Sequence, residues 1–420
     1  MDKFVFKDLG GEIMRNYKIL MSTLGRSHFI VAASSIIRQG VDLKLLQGWV
    51  PKNLDSWTVR LAAKIIGRKS FVAGLAKRRT PELEGRTISV VFPEMIQTAL
   101  CVILGRFCRQ LYGLSVRLAF ACHGFLTRRY LNGNDIFHVK SGLGRGGAIR
   151  KAKALGMKVL VDHCVPHPLS MKATTGEDGY DNWWSFWRDV MADCNEADLV
   201  MVGSQYVKDT FIEYGFEAER IRVVPLAVLP IFNKIKTSYS ANGRLELIYT
   251  GNWGHWKGVD DLIDSIKILM DRRIDVHLTV VGSVIKSSSS YRKAIDCNLP
   301  VTFAGHVPQE ALREYLKAAD VYVFPSLRDG FAVSAFEGMS AGLCLVTTKE
   351  SSIPIQDGET GFYVKSHSPD LIADRVEYLY NHRDVIERVG RNAADCVEKN
   401  YSWDKYAQNV KRVYEELLTE

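Results

Sequence analysis

Short apolar runs recur along the chain, and each is followed by a longer stretch whose apolar residues return every third or fourth place. Tyr17 to Thr23 (YKILMST) predicts a buried strand, and Gly25 then opens a loop. HFIVAASSIIRQG predicts a helix closing at Gly40, and VDLKLLQ predicts a second strand. A strand–helix–strand start implies a parallel sheet. The same alternation returns at DIFHVKS (Asp135 to Ser141) and at MKVLVD, which ends on Asp162. It returns again from RLELIYTGNWGHWKGVDDLIDSIKIL through DVHLTVVGS to VTFAGHVPQEALREYLKAADVYVFPS. Between the two series, Ala227 to Asn242 is partly polar and Ser-rich (FNKIKTSYSANG), where a domain boundary should fall.

One segment departs from this rhythm. Residues 56–134 read mostly as helices, with apolar faces interleaved with arginine and lysine. Between Ser56 and Asn134 there are 13 Lys or Arg and 3 acids, so this segment carries +10 while the whole 420-residue chain carries +8. The excess is local. Basic amphipathic helices suit an anionic membrane surface or a lipid-diphosphate acceptor. Solvated helix faces explain the same pattern equally well, and no nucleic-acid module surrounds it.

Length and composition fit two or three domains with a large core. The eight cysteines are scattered without a CxxC pair or histidines at metal spacing, which predicts a reducing compartment and no metal site. The start, MDKFVFKDLGGEI, has charges where a signal peptide needs an apolar run. No apolar stretch reaches the ~18 uncharged residues of a membrane helix. A cytoplasmic location follows, with peripheral membrane contact through residues 56–134 left open.

The most informative chemistry lies in residues 318–345 (AADVYVFPSLRDGFAVSAFEGMSAGLCL). An apolar strand runs into Pro325-Ser326, then a loop with Gly330, then a helix that starts near Ala332 and carries Glu337. Amides at that helix start would face an anion, with the helix dipole behind them. Asp329 and Glu337, with seven residues between them, would accept hydrogen bonds from hydroxyls rather than touch phosphate. An anion flanked by hydroxyls describes a nucleotide-diphosphate sugar. The pattern resembles the signature of the retaining GT-B glycosyltransferases of family 4 (glycosyl transferases group 1), in which a first acid holds the donor sugar and a second holds the ribose. Here the first acid is the shorter Asp329.

The resemblance is continuous over residues 197–420 and only topological before that. It implies an α/β GT-B fold of two Rossmann-like domains facing each other across a cleft. Residues 1–226 would bind the acceptor, 227–398 would bind the donor, and 399–420 (YSWDKYAQNVKRVYEELL) would form a helix crossing back onto the first domain. It implies that Lys257, followed by Gly258, pairs with the donor diphosphate, as a compact cation can. The family arginine after the turn glycine Gly251 is replaced by Asn252, so one cation is missing there. The nucleotide base would pack near Gly305 and Val307, with His306 incidental. Gly330, Phe331, Ala332 and Val333 would present backbone to the phosphates. From the other domain His163, at a strand end, would face the transferred sugar, while His138, also matched by position, reads as core. The loop after the first strand, with Gly25 and Arg26, would meet acceptor or phosphate, although a plain turn explains it equally. The implied reaction is sugar transfer with retention to a glycan or lipid-linked acceptor, with no cofactor, no metal and no nucleic acid.

Two other readings stand beside this one. Gly142-Leu143-Gly144-Arg145-Gly146-Gly147 is a formal GxGxxG, and Asp162 lies twenty residues past Gly142, as a dinucleotide fingerprint asks. Against it, the motif comes more than a hundred residues into its domain. The departures at Asn252 and Asp329 also fit a non-catalytic GT-B scaffold. Trp183, Trp184 and Trp187 are read as core or interface rather than sugar-stacking.

Overall fold

A computed structural model describes residues 17–25, 28–66, 71–104, 109–175, 184–240 and 242–419. The first series of elements is β1 (Lys18–Ser22), α1 (Phe29–Arg38), β2 (Asp42–Gln47), α2 (Trp57–Ile66), α3 (Phe71–Ala76), β3 (Thr87–Ser89), α4 (Val91–Leu104) and α5 (Arg109–Thr127). It continues with β4 (Ile136–Lys140), α6 (Ala148–Ala154), β5 (Lys158–His163), α7 (Pro168–Thr175), α8 (Trp184–Glu196), β6 (Leu199–Val202), α9 (Gln205–Glu213) and β7 (Ile221–Val223). The strands pair in parallel in the order β3-β2-β1-β4-β5-β6-β7. Strands β1, β4 and β6 are buried along nearly their whole length, so their sequences read as apolar runs rather than alternating ones.

The second series is β8 (Leu245–Thr250), α10 (Val259–Asp271), β9 (Val276–Val281), α11 (Ser289–Asp296), β10 (Val301–Gly305), α12 (Gln309–Ala318), β11 (Val321–Phe324), α13 (Val333–Ala341), β12 (Cys344–Thr347), β13 (Phe362–Tyr363), α14 (Pro369–Asn381) and α15 (Arg383–Asn400). Its six parallel strands run β10-β9-β8-β11-β12-β13. Each sheet therefore reverses its strand order once, between β1 and β4 and between β8 and β11. Ligands of open α/β sheets bind outside the carboxyl ends of the strands at such reversals.

The last helix, α16 (Trp403–Thr419), returns to the first domain. Its Tyr406, Ala407, Val410, Val413, Tyr414 and Leu417 join a core with Ile19, Phe29 and Ile36. The bidentate Arg222–Glu416 pair fastens its far end.

Residues 56–134 are mostly helical where described, and Thr87–Ser89 adds a short strand that pairs with β2 at the sheet edge. Three residues at an edge bury too little side chain to leave a periodic signal. The partly polar stretch between the two series is anchored at several points. Val228 and Phe232 belong to the second core. Lys236 is buried with its ammonium 3.4 Å from Asp320, and the Tyr239 hydroxyl donates to the Gly342 carbonyl at 2.7 Å.

Candidate active site

The loops that leave β8 and β11 lie on either side of the second sheet's reversal. After β8, Gly251 adopts φ +143 and Asn252 follows. The Asn252 carbonyl accepts from the Tyr249 hydroxyl at 2.8 Å, and its side-chain oxygen accepts from Ser283 at 2.6 Å. That amide is thus engaged within its own domain. Lys257 ends a short 3-10 turn, and Gly258 starts α10 in the left-handed region at φ +66. A Cβ at Gly258 would lie 1.8 Å from the Pro325 carbonyl oxygen, so glycine lets the two loops touch. The touch brings Lys257 to Asp329. The two form an ion pair, each side chain 18 % exposed, with the ammonium 5.1 Å from the Phe324 ring centre. Sequence spacing gave these residues separate partners; the structure gives them each other.

Helix α13 begins after Phe331 and Ala332, both buried, and Ala332 offers no side-chain cap. Phe331 stacks on Phe336 at 4.4 Å. Glu337 sits one turn into α13, and burial pushes its carboxyl up to about 7. Gly305 takes φ +73 with open space beside it, Val307 packs against the core edge, and His306 is exposed.

The first domain meets this face directly. A Cβ at Gly330 would lie 1.5 Å from the Cys164 carbonyl oxygen and 2.8 Å from the Val165 nitrogen. The His367 ring and the Thr174 carbonyl, 2.8 Å apart, make a second bridge between the domains. Under the Gly330 contact lies a small cavity of about 90 Å³, whose lining includes His28, Asp162, His163, Cys164, Phe331 and Tyr406. His163 is buried, its Nδ1 is 3.0 Å from the Ser141 hydroxyl, and its Nε2 has no partner among the described residues. Burial brings its pKa down to about 4, so the imidazole is neutral at pH 7. Burial would raise the pKa of Asp162, but His138 and His28 beside it outweigh that and hold the carboxyl well below the usual range.

His138 is a core residue, its Nδ1 2.7 Å from the Tyr414 hydroxyl. His167 stacks on Tyr214 at 4.7 Å. Trp187 packs on Phe186, and Trp183 lies outside the described residues. Gly25 is a left-handed turn at φ +72, and Arg26 lies outside the described residues.

The glycine run after β4 is a packing device. A Cβ at Gly144 would strike Ile149 at 2.3 Å, and one at Gly146 would strike the Ala121 carbonyl of α5 at 2.2 Å. The Gly144 amide is already bonded to Asp193 at 2.8 Å, and Asp162 turns to the histidines. The Gly144 amide and the Asp162 carboxylate are thus engaged within the protein, away from the partners a dinucleotide would offer them. One set of side chains among the described residues could hold a metal ion. His28, Asp162 and Cys164 bring one ligand atom each within 4.8 Å of one another. His28 lies 134 residues from Asp162, so no spacing rule could have joined them.

Comparison with known proteins bears on this arrangement. Residues 232–395 match the family described as glycosyl transferases group 1. A D-inositol 3-phosphate glycosyltransferase of Paenarthrobacter aurescens is 30 % identical over 221 residues, 49 % of this chain and 54 % of that protein. The capsular polysaccharide biosynthesis glycosyltransferase CapM of Staphylococcus aureus is 28 % identical over 195 residues, 45 % of this chain and 51 % of its own length. The chain thus spans about half the length of the curated relatives it matches. Among solved structures, sucrose-phosphate synthase from Thermosynechococcus elongatus superposes with a TM-score of 0.66 at 17 % identity, covering 96 % of this chain and 99 % of that one. Anabaena HepE, solved with UDP and glucose, gives 0.63 at 16 %, covering 95 % and 100 %. The chain therefore has the GT-B fold of two Rossmann-like domains.

Proposed function

We propose that the protein is a retaining glycosyltransferase that moves a sugar from a nucleotide-diphosphate donor to a glycan or lipid-linked acceptor without a metal ion. The observation that supports it best is the meeting of Lys257, Asp329 and the start of α13 at the carboxyl ends of β8 and β11, against the first domain at Gly330. In the reaction, the bond from the anomeric carbon to the diphosphate breaks and its electron pair leaves on a phosphate oxygen. The acceptor oxygen takes that carbon and releases its proton. Charge grows on the diphosphate, and fixed donors aimed at it lower the barrier. Lys257 carries three N–H donors, so it can keep Asp329 on one and offer the others to phosphate. Asp329 and Glu337 then position sugar and ribose hydroxyls. His163, neutral at pH 7 and with no partner for Nε2 among the described residues, lines the cavity under Gly330 from the first domain. The two relatives, a D-inositol 3-phosphate glycosyltransferase and a capsular polysaccharide biosynthesis glycosyltransferase, agree with this class of reaction.

Acceptors held in a membrane would suit the helices of the first domain. Trp57, Arg60, Leu61 and Lys64 are exposed on one face of α2, with Trp57 at 73 %. Phe92 and Met95 are exposed on α4. Apolar anchors beside cations fit an anionic bilayer surface. Some of the segment's charge is structural: Arg78, Arg86 and Arg117 pair with Glu94, Asp42 and Asp189. Among the described residues no helix is long and apolar enough to cross a membrane.

A thermal-shift panel of UDP, GDP, ADP, TDP and NAD tests the reading. One nucleoside diphosphate should stabilise the protein selectively, by about 2.7 kcal/mol at ~100 times its dissociation constant. Stabilisation by none of them would leave a non-catalytic scaffold, and stabilisation by NAD alone would overturn the transferase.

A further inference from the structure

The cavity beneath Gly330 contains more polar chemistry than donor binding uses. It is lined by His28 just before α1, the ends of β5 and β6, the stretch after β7, the Gly330 loop and α16. Two of its buried polar atoms, His163 Nε2 and the Tyr406 hydroxyl, have no hydrogen-bond partner among the described residues. Tyr406 is 2 % exposed and His163 1 %. Beside them Asp162 is 5 % exposed, its carboxylate 3.4 Å from His28 Nε2 and 3.8 Å from His138 Nε2. The Cys164 thiol donates to its other oxygen at 3.4 Å. Buried polar atoms without partners are costly, and a fold that keeps them in a cavity does so where a ligand completes them.

We propose that Asp162, His28 and Tyr406 form a subsite for a neutral hydroxyl-bearing group of the acceptor, with the crossover helix supplying one of its walls. This rests on the transferase reading given above. A carboxylate accepts hydrogen bonds and repels phosphate or another carboxylate, so an O–H group is its natural guest. The phenol of Tyr406 can donate to or accept from the same hydroxyl, and so can the uncharged His163 ring. The space takes a hydroxyl-bearing carbon or two, not a whole sugar ring. One end of a polyol acceptor fits it.

The experiment uses the full chain and two neutral probes, methyl α-glucoside and myo-inositol, with glucose 6-phosphate as an anionic control. Saturation-transfer NMR reads polyol binding, and calorimetry with the nucleoside diphosphate chosen by the thermal-shift panel reads the donor site. Neutral polyols should bind, and Tyr406→Phe, which removes only the hydroxyl, should weaken them about tenfold. Asp162→Asn should do at least as much, and nucleotide affinity should change less than about twofold in Tyr406→Phe. Equal polyol binding in wild type and Tyr406→Phe would overturn the proposal, as would preference for the phosphorylated sugar. Stabilisation of the wild type by zinc chloride that Cys164→Ser abolishes, with no polyol binding, would replace it with a metal site. Absence of nucleotide binding would sink the transferase reading while the polyol signal and its loss in Tyr406→Phe remained readable.

Discussion

Replacing Gly330 with alanine adds one methyl group at the place where the two domains touch. The φ of Gly330 lies outside the left-handed region, so alanine brings no backbone strain of its own there. The added carbon would instead stand 1.5 Å from the Cys164 carbonyl oxygen, where ordinary contact begins at 3.4 Å. The atoms it would meet, the Cys164 carbonyl and the Val165 nitrogen, are backbone, which cannot rotate away as a side chain does. Relief requires roughly 2 Å of separation between the Gly330 loop and the end of β5, and a close-packed interface does not yield that much without opening. Overpacking of this kind costs about 1–3 kcal/mol. Charged to the closed arrangement alone, that lowers its population about 5- to 150-fold. We predict that Gly330→Ala keeps the unfolding profile of the second domain, binds nucleoside diphosphate within about threefold of wild type, and has a larger radius of gyration by small-angle scattering. Donor turnover should fall with the closed fraction. Wild-type turnover with an unchanged radius would show that the Gly330–Cys164 contact is no part of the working state, and the argument would fail.

Four further outcomes follow from the same geometry. Lys257→Ala should weaken nucleoside diphosphate binding by about 1.5–3 kcal/mol, the range of a charged hydrogen bond, by calorimetry; unchanged affinity would place the diphosphate elsewhere. Glu337 has its folded pKa raised, so its stabilising contribution is present below its ordinary value of 4.5 and is lost as pH rises through about 7. Melting curves across that window should lose this limb in Glu337→Gln, and an identical pH profile would refute it. Gly146→Ala should destabilise the protein by about 1–3 kcal/mol in denaturant titration, because its Cβ meets the Ala121 carbonyl of α5 and its φ is +79. Trp57→Ser with Leu61→Ser should reduce co-sedimentation with phosphatidylglycerol vesicles without changing the melting temperature by more than about 1 °C. Equal sedimentation of wild type and double variant would leave these helices as a solvated face.

The sequence carried the fold well because buried parallel strands declare themselves as apolar runs, and the turns between them need glycine. β8 to β11 were legible for that reason, and so was α13, which carries Glu337 just after the loop that holds Asp329. What could not be read was anything set by contact between distant segments. The Lys257–Asp329 pair needs Gly258 against Pro325, a packing fact absent from any spacing rule. The three ligand atoms of His28, Asp162 and Cys164 meet only after β1 and β5 are laid near each other in the sheet. The glycine run at 142–147 misled in the opposite direction. Glycines that admit a phosphate and glycines that admit a helix look the same in one dimension, and here the helix was α5. Tyr406 carried no signal at all, because a tyrosine on an amphipathic helix is ordinary until its hydroxyl is found buried and unpartnered.

The chain crosses between the domains twice, and the crossings lie side by side. The Val228 amide donates to the Tyr401 carbonyl at 3.2 Å, with Ala227 in the first core and Val228 in the second. Two adjacent strands of chain make a natural hinge line, about which the second domain can turn as a unit. Helix α16 starts just beyond that line and belongs to the first core, so opening would carry Gly330 and Phe331 away while Tyr406 stays with Asp162 and His163. The two halves of the site then differ in kind. The hydroxyl subsite is built before closure, whereas the donor half reaches it only when the domains meet. We predict that the neutral polyol binds free protein and nucleotide-saturated protein with dissociation constants within about threefold of each other. A polyol that binds only after nucleotide would mean that Gly330 and Phe331 are indispensable walls of the subsite, and that closure creates it.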